Sequence, residues 1–346
     1  MNFTQLKSKT SLFLTMSLIN WDMNVIGGNR MAVFQYEVFA KVVEYKTFYQ
    51  AAQALNVTPS AVSHSITQFE NELGFPLFIR NRTGVTLTPD GETVYPIVQS
   101  ILNTESRLRQ VADSIQGVNS GSIRIGGFSS VCINWLPPII RSFRKKYPNI
   151  EISIVQGTFR EIDEMVQQGK IDIGFSALPV ASNLMVAPLI NDPIYCVAPL
   201  NFTPQDKKHV TTDDIGNRHF ILQKIDYEGG TKKALDRYNV TPNSISYSID
   251  DQSILAMVAS NLGLGILPEL ALQKITDDVQ VFPFSESFHR TVCLVTNKVQ
   301  AEAPSTQRMI QEIDQYLAKA YGDQYLASLP SKESFFKIDG NLRHEF

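Results

Sequence analysis

The sequence has few of the features that would identify a function class at once. Its 346 residues contain only three cysteines, Cys132, Cys196 and Cys293. An odd number of widely spaced cysteines excludes a disulfide framework and a paired-cysteine metal site, and it suits a reducing cytosol. The five histidines show no metal-ligand spacing, and no apolar run approaches the roughly 18 residues of a membrane-spanning helix. We therefore expect a cytoplasmic protein with no metal site and no membrane contact.

Excess positive charge is also absent. The chain has 31 Lys and Arg residues against 34 Asp and Glu, which gives a net charge of −3. This balance argues against a polybasic membrane binder and does not by itself suggest a nucleic-acid partner. The composition, with 43% hydrophobic and 19% charged residues, is nevertheless that of a globular protein, and the length suggests roughly two or three domains.

Residues 31–90 show a pattern of short helices followed by two short extended segments. Thr47 can cap the second helix, and Thr58 with Pro59 begins the third after a tight turn. Helix, helix, tight turn, helix and a two-stranded wing predict a winged helix-turn-helix. Residues 1–30 show no strong hydrophobic periodicity, and we interpret them as a disordered extension or as the result of a wrongly assigned start codon.

The third helix of this domain carries the strongest functional signal. In a helix-turn-helix, the early residues of the second helix of the pair meet base edges in the major groove. Hydroxyl, amide and imidazole groups there can bind base edges or phosphates, and arginines in the wing can reach phosphate or the minor groove. A solvated face that binds nothing would look the same. The predicted DNA contacts are Thr47, Thr58, Pro59, Ser60, Ser63, His64, Thr67, Gln68, Arg80 and Arg82.

A long helix with a seven-residue apolar repeat is predicted over residues 91–118. Such a seam pairs with a second helix as a coiled coil. The alternative is a lone amphipathic helix that packs on its own domain. The predicted dimerisation residues are Val94, Ile97, Ile101, Leu108, Val111 and Ile115.

After a Gly/Ser/Asn-rich linker at 117–121, strands and helices alternate. Units of this length predict a mostly parallel sheet with helices on both faces, so the fold class is α/β with an N-terminal winged helix-turn-helix. The α/β part alone would also suit a solute-binding protein, which is the alternative function. An enzyme is the third class, but the chain has no phosphate loop, dinucleotide fingerprint or assignable catalytic set. We therefore predict no catalytic residue.

The most specific pattern is a set of runs in and after the helix-turn-helix. They are AAQALNVTPSAVSHSI at 51–66, FENELGFPLFIR at 69–80 and LTPDG at 87–91, supported by VASNLGLGILP at 258–268. Together they resemble LysR-type transcriptional regulators over roughly residues 31–320. The resemblance implies a dimerising linker helix and a two-lobed effector domain like the type 2 periplasmic binding proteins.

The resemblance also implies partners and an arrangement of segments. Regulators of this type form dimers or tetramers, bind an imperfect inverted repeat in double-stranded DNA, act on RNA polymerase and respond to a small co-inducer, with no other cofactor. Two crossover strands, expected near 191–193 and 296–299, would join the lobes. The expected segments are the DNA-binding domain at 31–90, the linker helix at 91–118, lobe I at 121–192 and 297–322, lobe II at 193–296 and a tail at 323–346.

The effector is expected between the lobes, at the carboxyl ends of the strands. The turn at 126–130 opens a helix, where hydroxyls and free N–H groups favour an anion such as a carboxylate. Ser129 can equally be a helix cap. The predicted effector contacts are Ser129, Ser130, Thr158 and Ala177 in lobe I, with Lys224 and Gly265 in lobe II.

Cys132 offers one further possibility. A cysteine near a helix start can be a redox sensor if its pKa is lowered. No resolving cysteine lies nearby in the sequence, so a small residue at a helix start is the simpler interpretation.

We predict a shallow salt dependence of DNA binding. Residues 31–90 carry four basic and five acidic side chains, a net charge of −1. Phosphate contacts must then rely on backbone N–H groups and hydroxyls, with Arg80 and Arg82 as the principal charges, and on the avidity of a dimer or tetramer. The measurement is the affinity for random duplex DNA over a range of salt concentrations. A slope of log K against log salt near about −10 would contradict this expectation.

Overall fold

The chain divides into two compact units whose boundary lies between Leu102 and Asn103. Residues 1–26 lie outside the described residues, so the predicted extension is described only from Gly27, which already begins the first helix. Among the described residues, no helix is both long enough and apolar enough to cross a membrane. The computed structural model describes residues 27–82, 84–117, 119–180, 183–216, 218–223, 229–240, 244–247, 250–275, 277–326 and 336–337.

The first unit is a winged helix-turn-helix, as predicted. The caps read from the sequence are present, since Thr47 Oγ1 accepts from Gln50 N and Thr58 Oγ1 accepts from Ala61 N, both at 3.2 Å. These bonds satisfy N–H groups that a helix start leaves without intrahelical partners. The elements are α1 (Gly27–Tyr45), α2 (Phe48–Ala54), α3 (Pro59–Leu73), the hairpin of β1 (Phe78–Asn81) and β2 (Gly84–Leu87), and the beginning of α4 (Pro89–Ile115).

Helix α4 begins earlier than the sequence predicted. The expected range was 91–118, but Thr88 already ends the wing, and its Oγ1 accepts from Gly91 N at 2.9 Å. A Cβ at Gly91 would lie 2.4 Å from the Leu77 carbonyl oxygen. The helix start therefore packs against the wing so closely that only glycine fits.

The core of the first unit is centred on Phe39, which is fully buried on α1. Its ring lies edge-to-face with Phe69 of α3, Phe78 of β1 and Tyr95 of α4, at centroid distances of 5.7, 5.4 and 6.0 Å. Aromatic pairs prefer this geometry. One side chain thus fixes the recognition helix, the wing and the start of the long helix in a single core.

The second unit is an α/β structure with two lobes. Its helices largely alternate with its strands, as the sequence predicted, but the sheet is mixed rather than mostly parallel, because its two central strands pair antiparallel with their neighbours. The elements are β3 (Gly121–Gly127), α5 (Ser129–Asn134), α6 (Leu136–Lys146), β4 (Ile150–Gln156), α7 (Phe159–Gln167), β5 (Ile173–Ala177), β6 (Met185–Pro199), α8 (Thr212–Ile215), β7 (Phe220–Gln223), α9 (Gly229–Arg237), β8 (Ser244–Tyr247), α10 (Asp251–Ala259), β9 (Leu264–Pro268), α11 (Glu269–Leu272), β10 (Val279–Pro283), β11 (His289–Thr296), α12 (Lys298–Ala301), α13 (Pro304–Tyr321), a 3₁₀ turn (Gly322–Gln324) and β12 (Phe336–Lys337).

The two lobes share one continuous sheet. The strand order is β4-β3-β5-β11-β6 through lobe I and β6-β9-β7-β8 through lobe II, with β10 also paired to β6. Strand β6 carries the first crossing, because residues through Pro193 pair with β11 and residues from Ile194 pair with β9. Helices α5, α6 and α13 cover one face of lobe I, and α7 covers the other.

The second crossing lies before β11 rather than after it. The sequence predicted this crossing near 296–299 and therefore assigned 193–296 to lobe II, which is wrong. Strand β11 pairs with β5 and with the first part of β6, both in lobe I. Leu294 lies in the core on one face of the sheet and Cys293 in the core on the other. A strand buried on both faces takes a central position, so the chain re-enters lobe I by His289.

The first helical region of lobe I is two helices. The break is at Trp135, between α5 and α6. Pro137 and Pro138 follow, and proline is tolerated only in the first turn of a helix because it has no N–H group. A new helix therefore begins at Leu136.

Part of the C-terminal tail lies along lobe I. Leu326 N donates to Leu189 O at 2.8 Å, and β12 pairs antiparallel with β6 opposite Met185 and Val186. The tail thus extends the sheet of lobe I at the β6 edge, a position that the sequence did not predict.

Candidate nucleic-acid interface and effector cleft

Helix α3 has one buried face and one polar exposed face. Val62, Ile66 and Phe69 are buried in the core of the first unit. The opposite side exposes Ser60 and His64, followed one turn later by Thr67, together with Thr58 and Pro59 at the start of the helix. The turn before the helix requires a left-handed residue, which is Asn56 with φ 54°. The predicted base-reading positions therefore share one surface.

Several of these polar side chains already have local hydrogen bonds. Thr58 Oγ1 lies 2.9 Å from Ser60 Oγ, and Thr67 Oγ1 donates to the Ser63 carbonyl at 2.9 Å. Gln68 is half-buried and donates to Glu72 at 3.2 Å. His64 is exposed, and its imidazole can both donate and accept. It is the largest of the exposed polar side chains Thr58, Ser60, His64 and Thr67 on this face.

The two wing arginines differ. The Arg80 guanidinium lies 4.8 Å from the ring centroid of Phe48 and 3.9 Å from Glu70 Oε2, while about half of the side chain stays exposed. Glu70 also accepts from Leu77 N at 2.7 Å. The sequence did not reveal these contacts of Arg80 within the domain. Arg82 is exposed at the tip of the hairpin.

The N-terminal end of α2 belongs to the same candidate interface. Thr47 is half-buried and caps the helix, and its neighbour Tyr49 is 62% exposed. Gln53 donates to the Tyr49 hydroxyl at 3.1 Å. The sequence analysis missed Tyr49, because an aromatic residue in a short helix is usually part of a core.

Helix α4 exposes the predicted apolar seam. Ile97, Ile101, Leu108, Val111 and Ile115 are all exposed, and Leu108 is 67% exposed. The residues lie at the three-, four- and seven-residue spacings of a coiled coil, with the polar Thr104 at the one seam position between Ile101 and Leu108. Val94 instead packs against the core of the first unit. An apolar stripe of this length on a single chain indicates a surface that another molecule covers.

The other side of α4 is polar and binds lobe I. Asn103 accepts from Arg124 Nη2 at 2.9 Å and donates to Gly169 O at 3.0 Å. Gln110 Oε1 accepts from Ser305 N at 3.1 Å. The second half of α4 therefore belongs to the same body as lobe I.

The predicted effector contacts of lobe I lie at the carboxyl ends of its strands. The residue that caps α5 is Phe128, so Ser129 is not the helix cap. Ser129 Oγ is buried, and it forms no hydrogen bond with any of the described residues. Ser130 Oγ accepts from Arg290 Nη2 at 3.0 Å. The two neighbouring serines thus differ, one with its hydroxyl available and one with it occupied.

Thr158 and Ala177 complete the lobe I side. Thr158 and Glu161 form a capping box, in which Thr158 N donates to Glu161 at 2.8 Å. This backbone bond lowers the pKa of the Glu161 carboxyl, and the Thr158 hydroxyl lowers it further. Ala177 is buried at the end of β5.

The structure gives less support to the two effector contacts predicted in lobe II, Gly265 and Lys224. Gly265 is buried in β9, and a Cβ there would meet Ile254 and Val258 of α10 at 3.1 and 3.3 Å. Packing against α10 therefore accounts for this glycine, and its contact with an effector stays a prediction. Lys224 lies outside the described residues.

A buried ion pair stands beside these residues. Arg290 of β11 and Asp192 of β6 lie opposite each other in the ladder, with side chains 6% and 1% exposed. Arg290 Nε and Nη2 donate to Asp192 Oδ2 at 2.9 and 2.8 Å. Asp192 Oδ1 accepts from Leu270 N at 2.9 Å. The sequence did not predict this pair, because its members are far apart in the chain.

The described part of the chain offers no group of three or more His, Cys, Asp or Glu side chains able to hold a metal ion. The cysteines are unsuited to redox sensing. Burial raises the pKa of the Cys132 thiol to about 11, and it raises the pKa values of Cys196 and Cys293 as well. A sensor thiol needs the opposite shift.

Comparison with known families gives two matches. Residues 34–92 match the bacterial regulatory helix-turn-helix protein model of the lysR family, and residues 116–318 match the LysR substrate binding domain. The first match covers the winged unit with its recognition helix. The second covers both lobes.

Individual proteins agree with these matches. The HTH-type transcriptional regulator YvbU of Bacillus subtilis is 30% identical over 70% of this chain and 83% of its own length. The regulator IlvY of Escherichia coli is 27% identical over 70% of this chain and 84% of its own. Among solved structures, a full-length OxyR variant of Pseudomonas aeruginosa has a TM-score of 0.68 at 21% identity, covering 86% of this chain and 98% of that one. CbnR in complex with its target DNA has a TM-score of 0.57 at 17% identity, covering 82% and 99%.

We expect Cys132 to react slowly with alkylating reagents in the folded protein. Raising the pKa from 9.0 to about 11 lowers the thiolate fraction at pH 8 by about 100-fold. The rate should therefore rise about tenfold per pH unit up to pH 11. The measurement is the rate of carbamidomethylation by mass spectrometry, with the unfolded protein as control. Rapid labelling of the folded protein at pH 8 would contradict the shielded thiol.

Proposed function

Because the chain belongs to the LysR family of bacterial transcriptional regulators, we propose that it is a sequence-specific DNA-binding regulator controlled by a small effector. The observation that carries this proposal is the exposed polar face of α3, with Ser60 and His64 on it and the wing of Arg80 and Arg82 beside it in the same unit. A dimer of such units would bind an imperfect inverted repeat.

The low charge of the domain affects how it would bind. Few cations are available for phosphate, so hydroxyls, backbone N–H groups and Arg80 must position the domain. Base contacts from His64 and Ser60 would then contribute an unusually large share of the affinity.

We expect the double substitution Ser60→Ala and His64→Ala to abolish specific protection of operator DNA. The loss of two base contacts at about 1–3 kcal/mol each corresponds to an affinity at least about 30-fold lower. The measurement is footprinting of the DNA that flanks the gene. The matched control is Ser153→Ala with His209→Ala, which removes an exposed serine and an exposed histidine from the second unit. Normal protection by the α3 variant would remove the assignment of the recognition helix.

Self-association through α4 is the second part of the proposal. The exposed seam of Ile97, Ile101, Leu108, Val111 and Ile115 fits a second copy of the same helix, since Thr104 is the one polar interruption of the repeat and the opposite side of the second half of α4 is occupied by lobe I. Tetramers would form from two such dimers. The contact with RNA polymerase is proposed on the family relationship alone.

Leu108→Glu should produce monomers. A carboxylate at the centre of the seam is desolvated without a partner when two helices pair. The matched control is Leu200→Glu, because Leu200 is a leucine of lobe II that is 61% exposed and is not part of the α4 seam. The measurement is sedimentation equilibrium of the full chain. A Leu108→Glu protein that sediments like the control would contradict the coiled coil.

The effector is proposed to bind between the lobes. Ser129 Oγ supports this location, since it is buried and forms no hydrogen bond with the described residues. Ser130 and Thr158 lie at the same edge of the sheet. A change in lobe orientation on binding would reach α4 through the Asn103 and Gln110 contacts, and from there the spacing of the two DNA-binding units.

The alternative function, a solute-binding protein, would account for the α/β part alone, whereas the family matches cover the helix-turn-helix as well as the lobes and favour the regulator. A solute-binding protein would bind a small molecule without binding DNA. A small molecule that binds the purified protein, combined with no protection of any DNA, would favour it over the regulator.

A further inference from the structure

The two crossover strands carry a buried cluster that touches both lobes. We propose that the Asp192–Arg290 pair is a positioning device that fixes the orientation of lobe II against lobe I, and that an anionic effector acts by competing with Asp192 for Arg290. The competition by an anionic effector rests on the effector site proposed above. The positioning role of the pair stands without that site.

The location of the pair is the first reason. Asp192 and Arg290 lie opposite each other on β6 and β11, at the residues where both strands pass between the lobes. Any rotation of one lobe against the other must bend the strands at or beside this position. A side-chain link between the two strands therefore resists that rotation directly.

The second reason is that the pair holds one element from each lobe. Arg290 donates to Ser130 Oγ of α5 at 3.0 Å, in lobe I. Asp192 accepts from Leu270 N of α11 at 2.9 Å, in lobe II. The chain of contacts from Ser130 through the ion pair to Leu270 thus connects the start of a helix in each lobe.

Leu270 adds a mechanical link. Although α11 follows a strand of lobe II, the Leu270 side chain is buried in the core of lobe I. Its carbonyl accepts from Asn134 Nδ2 of α5 at 2.7 Å. Its amide, carbonyl and side chain are therefore all held at the junction, and a change of lobe orientation must release at least one of them.

The chemistry of the pair makes it specific to one geometry. A buried ion pair contributes little net stability, but separating its members leaves a charge desolvated. Arg290 also lies 4.7 Å from the ring of Phe128 and 5.9 Å from that of Phe159. The guanidinium loses its charge partner unless another anion replaces Asp192, and Ser130 Oγ, 3.0 Å from Arg290 Nη2, lies beside the position that a carboxylate ligand would take.

Hydrogen exchange in the full-length protein tests the positioning role without DNA or effector. In Ser130→Ala and in Asn134→Ala we expect amides of residues 269–273, in lobe II, to exchange about five- to tenfold faster, because the hold on Leu270 weakens. The control is Ser153→Ala, an exposed serine of lobe I. Exchange at 269–273 equal to that of the control, or a uniform increase over both lobes with a lower melting temperature, would overturn the positioning role.

Arg290→Lys extends the test, because lysine keeps the charge but cannot bind Asp192 and Ser130 together in the same fork geometry. We expect the same local increase in exchange as in Ser130→Ala. Acetate and benzoate are the probes for competition between an anion and Asp192. Each should accelerate exchange at 269–273 in the wild type, and a neutral amide of the same size should not. Equal effects of acid and amide would overturn the competition with Asp192.

A footprint separates these outcomes from the proposed function. If the wild-type protein protects no DNA, the regulator assignment fails, while the exchange pattern still decides the positioning role. If it does protect DNA, Ser130→Ala should alter the protected region without any added ligand. An unchanged footprint together with faster exchange would overturn the link from the pair to regulation.

Discussion

The second unit depends on two neighbouring antiparallel strands, β6 and β11, which are the only described strands at the passage between the lobes. Both must satisfy the hydrogen bonding of a central strand and also cross a junction where packing is interrupted. The fold places charged side chains there, Asp192 and Arg290, and satisfies them with Ser130 and Leu270 N. A junction of purely apolar residues would allow several lobe orientations, whereas a paired charge favours one.

Helix α4 also serves two purposes, one on each side of the helix. Its polar stripe, which includes Asn103 and Gln110, is bound to lobe I, and its apolar stripe, which includes Leu108, is exposed. The helix can therefore move with the effector lobe on one side while it presents a hydrophobic seam on the other. Gly121 shows how close the packing is, because a Cβ there would lie 2.9 Å from the Gln110 side chain.

Much of this architecture was predictable from the sequence, because local rules determine it. Thr58, Pro59 and Gly74 mark the ends of α3, and the apolar repeat of α4 is readable without a structure. The second crossing was placed wrongly, because β11 reads as a buried strand but nothing local tells which lobe it joins. The Asp192–Arg290 pair was not predictable for the same reason. Asp192 and Arg290 are 98 residues apart, and only the register of β11 against β6 brings them together.

The structure shows how the few positive charges of the DNA-binding domain are placed. Arg80 lies against the Phe48 ring and near Glu70, so one of the few cations near the recognition helix is partly engaged within its own domain. A domain built in this way cannot gain much affinity from charge alone. We expect it to gain affinity from geometry instead, from His64 and Ser60 on one helix and from two copies paired through α4. The same constraint makes the Asp192–Arg290 pair useful, because a pair that favours one lobe orientation would let small changes in the spacing of the two DNA-binding units produce large changes in DNA binding.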